Sequence, residues 1–234
     1  MVIKAVVFDF GGVIMSYSQL PKLFMKIADD LGVDHQTFLS RKDKIFQFFV
    51  GDRRLMTGKI SAEEFEEAEF LDSLNHAFGT NHKEPIRWMH HFCDPNLFSY
   101  HKPILNFIDV LRANGFKTGL LTNNFYIDKA KKIESTPIDK ALFDAVVESR
   151  LEGIEKPDPK IYELCHSRVV ESDSKIEKHE VLFLDDVQEN IDAAEQFGWK
   201  AVLVCNPTDP RKALARALEL IKAENGTHLE VDVQ

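Results

Sequence analysis

The chain has 234 residues and a formal net charge of −9. This surplus of acidic residues argues against nucleic acid or an anionic membrane as a main partner, because both require a basic surface. The 44% hydrophobic and 29% charged residues are ordinary for a soluble globular protein. No apolar run resembles a signal peptide or reaches the length of a membrane span, so we expect a cytoplasmic protein with no membrane span.

Five short apolar runs rich in β-branched residues predict strands at residues 2–8, 116–121, 144–147, 181–184 and 201–204. Their near-continuous hydrophobicity is typical of strands that are covered on both faces, as in a parallel sheet. Helical patterns lie between them, for example at residues 103–114 and 188–197, each followed by a glycine. This alternation predicts a doubly wound α/β domain with a parallel sheet.

Residues 16–98 interrupt the alternation with helical patterns and no clear strand. The capping box formed by Ser61 and Glu64 predicts the start of one of these helices. We therefore predict a core domain at residues 1–15 and 99–234 and an all-helical insert at 16–98, directly after the first strand. Most phenylalanines of the insert are predicted to form its own core, and the run at 46–49 is an alternative candidate for the lining of an apolar substrate pocket.

Two further predictions concern residues outside the sheet. The three cysteines are odd in number and widely spaced, which indicates reduced, buried thiols rather than a disulfide or a zinc site. The stretch from about residue 225 to the end is predicted to be a frayed tail, with a short final strand at residues 229–233 as the alternative.

Polar residues follow four of the predicted strands at the point where each strand ends. In an open α/β sheet, ligands bind outside the carboxyl ends of the strands. If the strands are parallel, one edge of the sheet therefore brings together Asp9, Thr122, Asn123, Lys156, Asp185 and Asp186. Taken singly, Asp9 could be a turn residue, Lys156 a surface lysine, and the Asp185–Asp186 pair a helix cap.

Together these residue types suit phosphoryl transfer. The Asp9 carboxylate can attack phosphorus and form an aspartyl-phosphate. Asp185 and Asp186 place further negative charge beside Asp9, which indicates a hard cation with a preference for oxygen ligands, Mg²⁺. Thr122 and the neighbouring backbone N–H groups, including that of Asn123, can hold the phosphoryl oxygens. Lys156 supplies a fixed positive charge for the transition state.

Four segments carry a family resemblance: VVFDFGGVI, LLTNN, EKPDPKIY and VLFLDD. In this order they resemble the four motifs of the haloacid dehalogenase (HAD) superfamily, over about two thirds of the chain. The likeness is closest to the phosphatase domain of soluble epoxide hydrolases and to the similar domain that precedes an acyl-CoA dehydrogenase in multidomain proteins. It implies a Rossmann-like HAD core, a helical cap inserted after the first strand, and catalytic roles for Asp9 and Lys156.

The resemblance also implies a Mg²⁺ site. Its ligands would be Asp9, the backbone carbonyl of Gly11, and Asp186 or Asp185, with Asp186 favoured. The sequence departs from the family pattern at Gly11, where HAD phosphatases usually carry a second Asp that acts as general acid and base. Because such catalysis typically contributes about 10²–10⁴-fold to the rate, the departure predicts a slow phosphatase.

Three functions follow as hypotheses. The favoured one is a Mg²⁺-dependent phosphatase of a small phosphorylated metabolite, either a sugar or a lipid phosphate. The second is a metal-independent 2-haloacid dehalogenase, against which the Asp185–Asp186 pair weighs. The third is a weakly active or non-catalytic binding domain. The chain is expected to be a monomer or a homodimer.

Overall fold

A computed structural model describes residues 2–171 and 176–232 of the chain. Five strands form one entirely parallel sheet in the order β5-β4-β1-β6-β7. A separate antiparallel pair joins β2 to β3. The strands are β1 (Ala5–Phe8), β2 (Met15–Ser16), β3 (Ser99–Tyr100), β4 (Lys117–Thr122), β5 (Ala145–Glu148), β6 (Val181–Asp185) and β7 (Lys200–Leu203).

The five predicted strands are all present, and the parallel sheet is confirmed. Each begins or ends within three residues of its predicted bounds. The largest difference is at the first strand, which starts at Ala5 rather than at residue 2. The pair β2–β3 was not predicted, because two residues are too few for a recognisable strand pattern.

Ten α-helices accompany the strands in the described part of the chain. They are α1 (Leu20–Leu31), α2 (His35–Gly51), α3 (Arg53–Met56), α4 (Ala62–Glu67), α5 (Glu69–Phe78), α6 (Lys102–Ala113), α7 (Ser149–Glu152), α8 (Pro159–Val170), α9 (Gln188–Phe197) and α10 (Arg211–Asn225). Helices α6 and α10 pack on one face of the sheet, and α8 and α9 pack on the other. The sheet is therefore covered on both faces.

The central strand β1 shows why its sequence is apolar throughout. Val6 and Phe8 are fully buried against α6 and α10, whereas Ala5 and Val7 are fully buried against α8 and α9. Successive side chains of a strand point to opposite faces, so a strand covered on both faces must be apolar at every position. The carboxyl end of β1 is thereby fixed between two packed layers, and it carries the first residue of the candidate site.

Helices α1 to α5 form a segment with an apolar cluster of its own. The capping box that Ser61 forms with Glu64 is present at the start of α4, as the sequence predicted. Phe49 is buried among aromatic rings, including those of Trp88 and Phe125, so its ring is part of the packed cluster rather than the lining of a pocket. The side chain of Phe48 lies outside the described residues.

The helical segment rests on residues that follow β4 and β5. The backbone N–H of Ala62 donates to the carbonyl of Tyr126 at 2.7 Å, and the Ser149 hydroxyl donates to the carbonyl of Met56 at 2.5 Å. Gly58 has a left-handed φ of +66°, and a Cβ at this position would lie 2.3 Å from the carbonyl oxygen of Arg150. The segment thus contacts the end of the sheet at which the strands terminate.

Two expectations about the remaining residues are corrected. Cys165 is buried, but Cys93 and Cys205 are exposed, so the prediction of buried thiols was wrong for two of the three. The described part of the C-terminal stretch is not frayed, because Leu229 is buried in the core cluster beneath α6 and α10. It contains no strand up to residue 232, and the rest of the alternative strand at 229–233 lies outside the described residues.

Within the described ranges, no helix has the length and apolar character that a membrane span needs.

Glu66 of α4 provides a test of the packing in the helical segment. It is 1% exposed, and burial raises its pKa to about 7, although the Met89 N–H and the charge of Arg87 lower it. An acid whose pKa is raised in the folded state destabilises the fold as pH rises from its unfolded pKa to its folded pKa. We therefore expect the free energy of unfolding of Glu66→Gln to rise by about 3 kcal/mol, relative to that of the unchanged chain, as the pH increases from about 4.5 to about 7.

The measurement is urea unfolding of both proteins across that pH range. Because other groups also titrate, the test compares the free energies of unfolding of the variant and the unchanged chain at each pH. Glu84→Gln makes the same chemical change at an exposed position and should show no such dependence. A difference for Glu66→Gln that stayed constant with pH would contradict the prediction.

Candidate active site

The candidate site lies where the strand order reverses. β1 has β4 on one side and β6 on the other, and from these the sheet continues outwards in both directions. Such a reversal opens a crevice at the carboxyl end of the central strand. Asp9 is the first residue after β1, and its backbone N–H donates to the carbonyl of Leu184 at 2.9 Å. The carboxyl group is therefore held at the crevice, with the residue only 8% exposed.

Lys156 connects two of the carboxylates. Its Nζ lies 2.8 Å from Oδ1 of Asp9 and 2.6 Å from Oδ2 of Asp185, and the residue is 4% exposed. Burial lowers the pKa of Lys156, but the charges of Asp185 and Asp9 outweigh this effect and raise the pKa above its usual value. Lys156 is therefore a permanent cation between the two carboxylates.

Asn123 holds the backbone of Lys156 in place. Its Nδ2 donates to the Lys156 carbonyl at 3.0 Å, and its Oδ1 accepts from the Lys156 N–H at 2.9 Å. The side-chain amide of Asn123 is therefore committed to positioning the lysine, and phosphate binding stays a prediction for the backbone N–H of Asn123. Its neighbour Thr122 ends β4 and is buried at the same edge of the sheet.

Asp185 is the last residue of β6, and its carboxylate is fully buried. Oδ1 accepts from the Val187 N–H at 2.8 Å, and Nδ2 of Asn190 lies 3.1 Å from both carboxylate oxygens. Together with Lys156, these donors engage both oxygens of Asp185. This carboxylate therefore holds the lysine and the start of α9 in position.

Asp186 is in a different environment. It is partly buried, and it forms no ion pair with any described lysine, arginine or histidine. Gly12, with a left-handed φ of +70°, passes so close that a Cβ on it would lie 2.3 Å from Oδ2 of Asp186. Only glycine fits both this backbone conformation and this contact. Of the two neighbouring carboxylates, Asp186 is thus the one left available for a ligand.

The three carboxylates fit a hard divalent cation. Each of Asp9, Asp185 and Asp186 offers one oxygen, and these oxygens all lie within 4.8 Å of one another. Lys156 is the cation that pairs with two of them, so three ionised carboxylates would leave an excess of negative charge. Burial raises the pKa of Asp9, with Lys156 opposing and Asp185 adding to the effect, and burial and the charges of Asp9 and Asp185 raise the pKa of Asp186. A bound cation with oxygen ligands would remove this penalty.

Sequence reasoning missed three residues near this centre. Asn190 binds Asp185 from the first turn of α9, and Gly12 makes room for Asp186. The third is Tyr17, whose hydroxyl oxygen lies 2.5 Å from the position that a Cβ on Gly11 would occupy. The consecutive glycines at 11 and 12 were a signal of close packing, but no sequence pattern shows which side chain fills the space.

Three curated relatives resemble parts of the chain. Acyl-CoA dehydrogenase family member 10 of Mus musculus is 39% identical over 111 residues, 47% of this chain and 10% of that protein. Bifunctional epoxide hydrolase 2 of Sus scrofa is 28% identical over 210 residues, 87% of this chain and 37% of that protein. Phosphatase MT3486 of Mycobacterium tuberculosis is 28% identical over 116 residues, 50% of this chain and 51% of that protein. The chain thus spans about half or less of the length of these relatives.

Solved structures share the fold. A predicted HAD-like family hydrolase from Porphyromonas gingivalis has a TM-score of 0.57 at 22% identity, covering 93% of this chain and 98% of that one. A HAD family enzyme from Bacteroides thetaiotaomicron, in complex with magnesium and inorganic phosphate, has a TM-score of 0.52 at 20% identity, covering 86% and 93%. L-2-haloacid dehalogenase from Xanthobacter autotrophicus has a TM-score of 0.55 at 18% identity, covering 95% and 88%.

The model of one protein family matches most of the chain. It describes the haloacid dehalogenase-like hydrolases, and it matches residues 3–198. The matched range includes the whole candidate site, from Asp9 to Asn190. The protein therefore belongs to the haloacid dehalogenase-like hydrolases.

Proposed function

We propose that this hydrolase is a Mg²⁺-dependent phosphatase of small organic phosphates and that Asp9 is its nucleophile. The observation that carries the proposal is the arrangement around Lys156. The lysine pairs with Asp9 and Asp185, while Asp186 has no cationic partner among the described residues. A nucleophilic carboxylate, a fixed cation and a free metal ligand are the parts that phosphoryl transfer requires.

The reaction would take place in two displacements. In the first, a carboxylate oxygen of Asp9 attacks phosphorus, the ester P–O bond breaks, and the leaving oxygen departs with the electron pair and takes a proton from solvent. In the second, water attacks the phosphorus of the aspartyl-phosphate and releases inorganic phosphate and the Asp9 carboxylate. Lys156 would offset the charge of the phosphoryl oxygens, and the Thr122 hydroxyl and the Asn123 N–H would orient them.

Asp9, Asp186, Asp185 and the backbone carbonyl of Gly11 would hold the metal. Among the two neighbouring carboxylates we assign the direct ligand role to Asp186, because Asp185 already accepts hydrogen bonds at both oxygens. When bound, Mg²⁺ would neutralise charge on the carboxylates and on the substrate's phosphoryl group. A solved relative by fold carries magnesium and inorganic phosphate, and a curated relative is a phosphatase, which supports magnesium as the metal and a phosphate as the substrate group.

We also propose that residues 16–98 act as a cap over a core made of residues 1–15 and 99–234. The contacts of Ala62 with Tyr126 and of Met56 with Ser149, at the carboxyl end of the sheet, support this role. A cap of this kind excludes water and contacts the organic part of the substrate. The substrate would be a phosphorylated metabolite, with sugar and lipid phosphates as the two classes to compare.

The test is phosphate release from p-nitrophenyl phosphate and from a panel of sugar and lipid phosphates. We expect hydrolysis with Mg²⁺ and at least about a 10²-fold loss in EDTA that added Mg²⁺ restores. Calorimetric titration should show that Asp186→Asn weakens Mg²⁺ binding at least about tenfold, because a free ligand oxygen is lost. Asp192→Asn, the same change at an exposed position of α9, should bind Mg²⁺ like the unchanged chain.

The same assay separates the phosphatase from its alternatives. Chloride release from 2-chloropropionate in EDTA, without phosphate release from any ester, would instead assign a dehalogenase. Mg²⁺ binding with no turnover of any compound would assign a binding domain. Either result would overturn the proposed function.

A further inference from the structure

Tyr17 brings a hydroxyl group to the candidate active site from outside the sheet. It follows β2 and opens a short 3₁₀ helix (Tyr17–Gln19), whose first turn is capped by the Ser16 hydroxyl. The Tyr17 N–H donates to the carbonyl of Pro207 at 3.0 Å, so the backbone is also tied to the loop after β7. These contacts fix the place from which the side chain reaches towards Gly11.

The hydroxyl occupies the space that a side chain at residue 11 would take. Its oxygen lies 2.5 Å from the Cβ position built on Gly11. A carboxylate oxygen of aspartate lies about 2.4 Å from its own Cβ, given ordinary bond lengths. The Tyr17 hydroxyl oxygen therefore lies about as far from the Cβ position of residue 11 as the carboxylate oxygen of an aspartate at residue 11 would lie.

The hydroxyl is an uncommitted donor. It makes no hydrogen bond to any residue in the described ranges, and the carboxylates of Asp186, Asp9 and Asp185 are close enough to act on it electrostatically. A phenol has an ordinary pKa of about 10, so the proton stays on the oxygen at neutral pH. Tyr17 is only partly buried, so a ligand that enters the site can reach the hydroxyl. The oxygen is therefore suited to a ligand.

The direction of attack indicates which ligand atom this is. In phosphoryl transfer the attacking and leaving oxygens lie roughly in line on opposite sides of phosphorus. Asp9 attacks from the edge of the sheet, so the leaving oxygen must lie on the side away from the sheet. Tyr17 is the donor that we assign to this oxygen, because its hydroxyl is free and lies beside Gly11, whereas Lys156 is engaged by Asp9 and Asp185.

We propose that the Tyr17 hydroxyl donates a hydrogen bond to the leaving-group oxygen of the phosphate ester, a role that rests on the proposed phosphatase function. Negative charge develops on this oxygen as the P–O bond breaks, and a donor already in place stabilises it. The proton remains on Tyr17, and the released alkoxide or phenoxide is protonated by solvent. Tyr17 thereby supplies polar contact that Gly11, which has no side chain, cannot supply.

Tyr17→Phe tests this role through its dependence on the leaving group. A p-nitrophenoxide needs little stabilisation, so we expect less than about a threefold loss of kcat/KM with p-nitrophenyl phosphate. Alkoxides carry much more charge on oxygen, so glycerol phosphate should lose about 10²-fold. A series of aryl phosphates with progressively poorer leaving groups should give a steeper dependence of kcat/KM for Tyr17→Phe than for the unchanged chain. Mg²⁺ affinity measured by calorimetry should stay within about twofold.

Gly11→Asp provides the matched rescue. Gly11 does not have a left-handed φ, so its backbone accepts a side chain, but the Tyr17 hydroxyl blocks the Cβ at 2.5 Å. In the Tyr17→Phe background that oxygen is gone, and the nearest remaining atom is the ring Cζ at 3.4 Å, an ordinary contact. The double variant Gly11→Asp/Tyr17→Phe should therefore recover at least about tenfold of the lost glycerol phosphate hydrolysis.

The possible failures can be told apart. If the unchanged chain hydrolyses no phosphate ester, the proposed function is wrong, and the role of Tyr17 with it. If the unchanged chain is active and Tyr17→Phe loses the same factor with every leaving group, or nothing at all, only the role of Tyr17 is overturned. Thermal unfolding of each variant verifies that the compared proteins are folded, and the rescue by Gly11→Asp decides the question if Tyr17→Phe is less stable.

Discussion

The Asp9→Asn variant should hydrolyse p-nitrophenyl phosphate at least about 10⁴-fold more slowly than the unchanged chain. Asparagine has nearly the same shape as aspartate, but its neutral amide cannot attack phosphorus. Its oxygen can still accept a hydrogen bond from Lys156, which lies 2.8 Å from Oδ1 of Asp9. We therefore expect the fold to survive and the loss to lie in the chemical step, as kcat rather than KM.

The control is Asp192→Asn, which makes the same chemical change on the exposed side of α9 and should keep full activity. Rapid quenching of the unchanged chain during turnover, followed by mass spectrometry, should locate a phosphoryl group on Asp9. Residual activity of Asp9→Asn within about tenfold of the unchanged chain would show that another group is the nucleophile.

Lys156→Met should affect both activity and stability. The methionine side chain fills a similar volume but leaves Asp9 and Asp185 without the cation that lies 2.8 Å and 2.6 Å from them. Removing one partner of a buried ion pair costs about 3–5 kcal/mol, because charge is left uncompensated. Loss of a fixed charge that stabilises the transition state lowers kcat/KM by about 10²–10³-fold. Urea unfolding and phosphate release measure the two effects.

Lys160→Met is the matched control, since Lys160 is exposed on α8 only four residues further along the chain. We expect it to leave both unfolding and turnover unchanged. If Lys156→Met were as stable and as active as this control, Lys156 would be dispensable. Its position between Asp9 and Asp185 would then not support the proposed function.

The sequence predicted the part of the fold that repeats along the chain. Strands covered on both faces must be apolar throughout, and helices must present an apolar stripe, so β1, β4 and β6 were recognisable from local pattern alone. The position of Asp9 and Asp185 at strand ends followed from the same pattern, because parallel strands end at one edge of the sheet.

The rest depends on contacts between distant residues. Whether Asp185 or Asp186 is the free carboxylate depends on Asn190 and Lys156, and adjacent aspartates look alike in a sequence. The commitment of the Asn123 side chain to Lys156 links residues that lie in separate loops. Tyr17 precedes the helices of the segment and belongs to no motif, so only the folded chain brings it beside Gly11.

The short pair β2–β3 has a consequence for how the fold can diversify. Met15 pairs with Tyr100 and Ser16 with Ser99, so the chain leaves the core and returns to it at neighbouring positions. The connectivity of the parallel sheet therefore does not depend on the length of the stretch between Ser16 and Ser99. The entropic cost of closing a loop at this point grows only slowly with the length of the loop. The helical segment can be lengthened, shortened or exchanged while the spacing of the carboxylates at the sheet edge stays the same. Under the proposed function, contacts with the organic group would be encoded between β2 and β3, together with Tyr17, whereas Asp9, Lys156 and Asp186 are encoded outside that stretch.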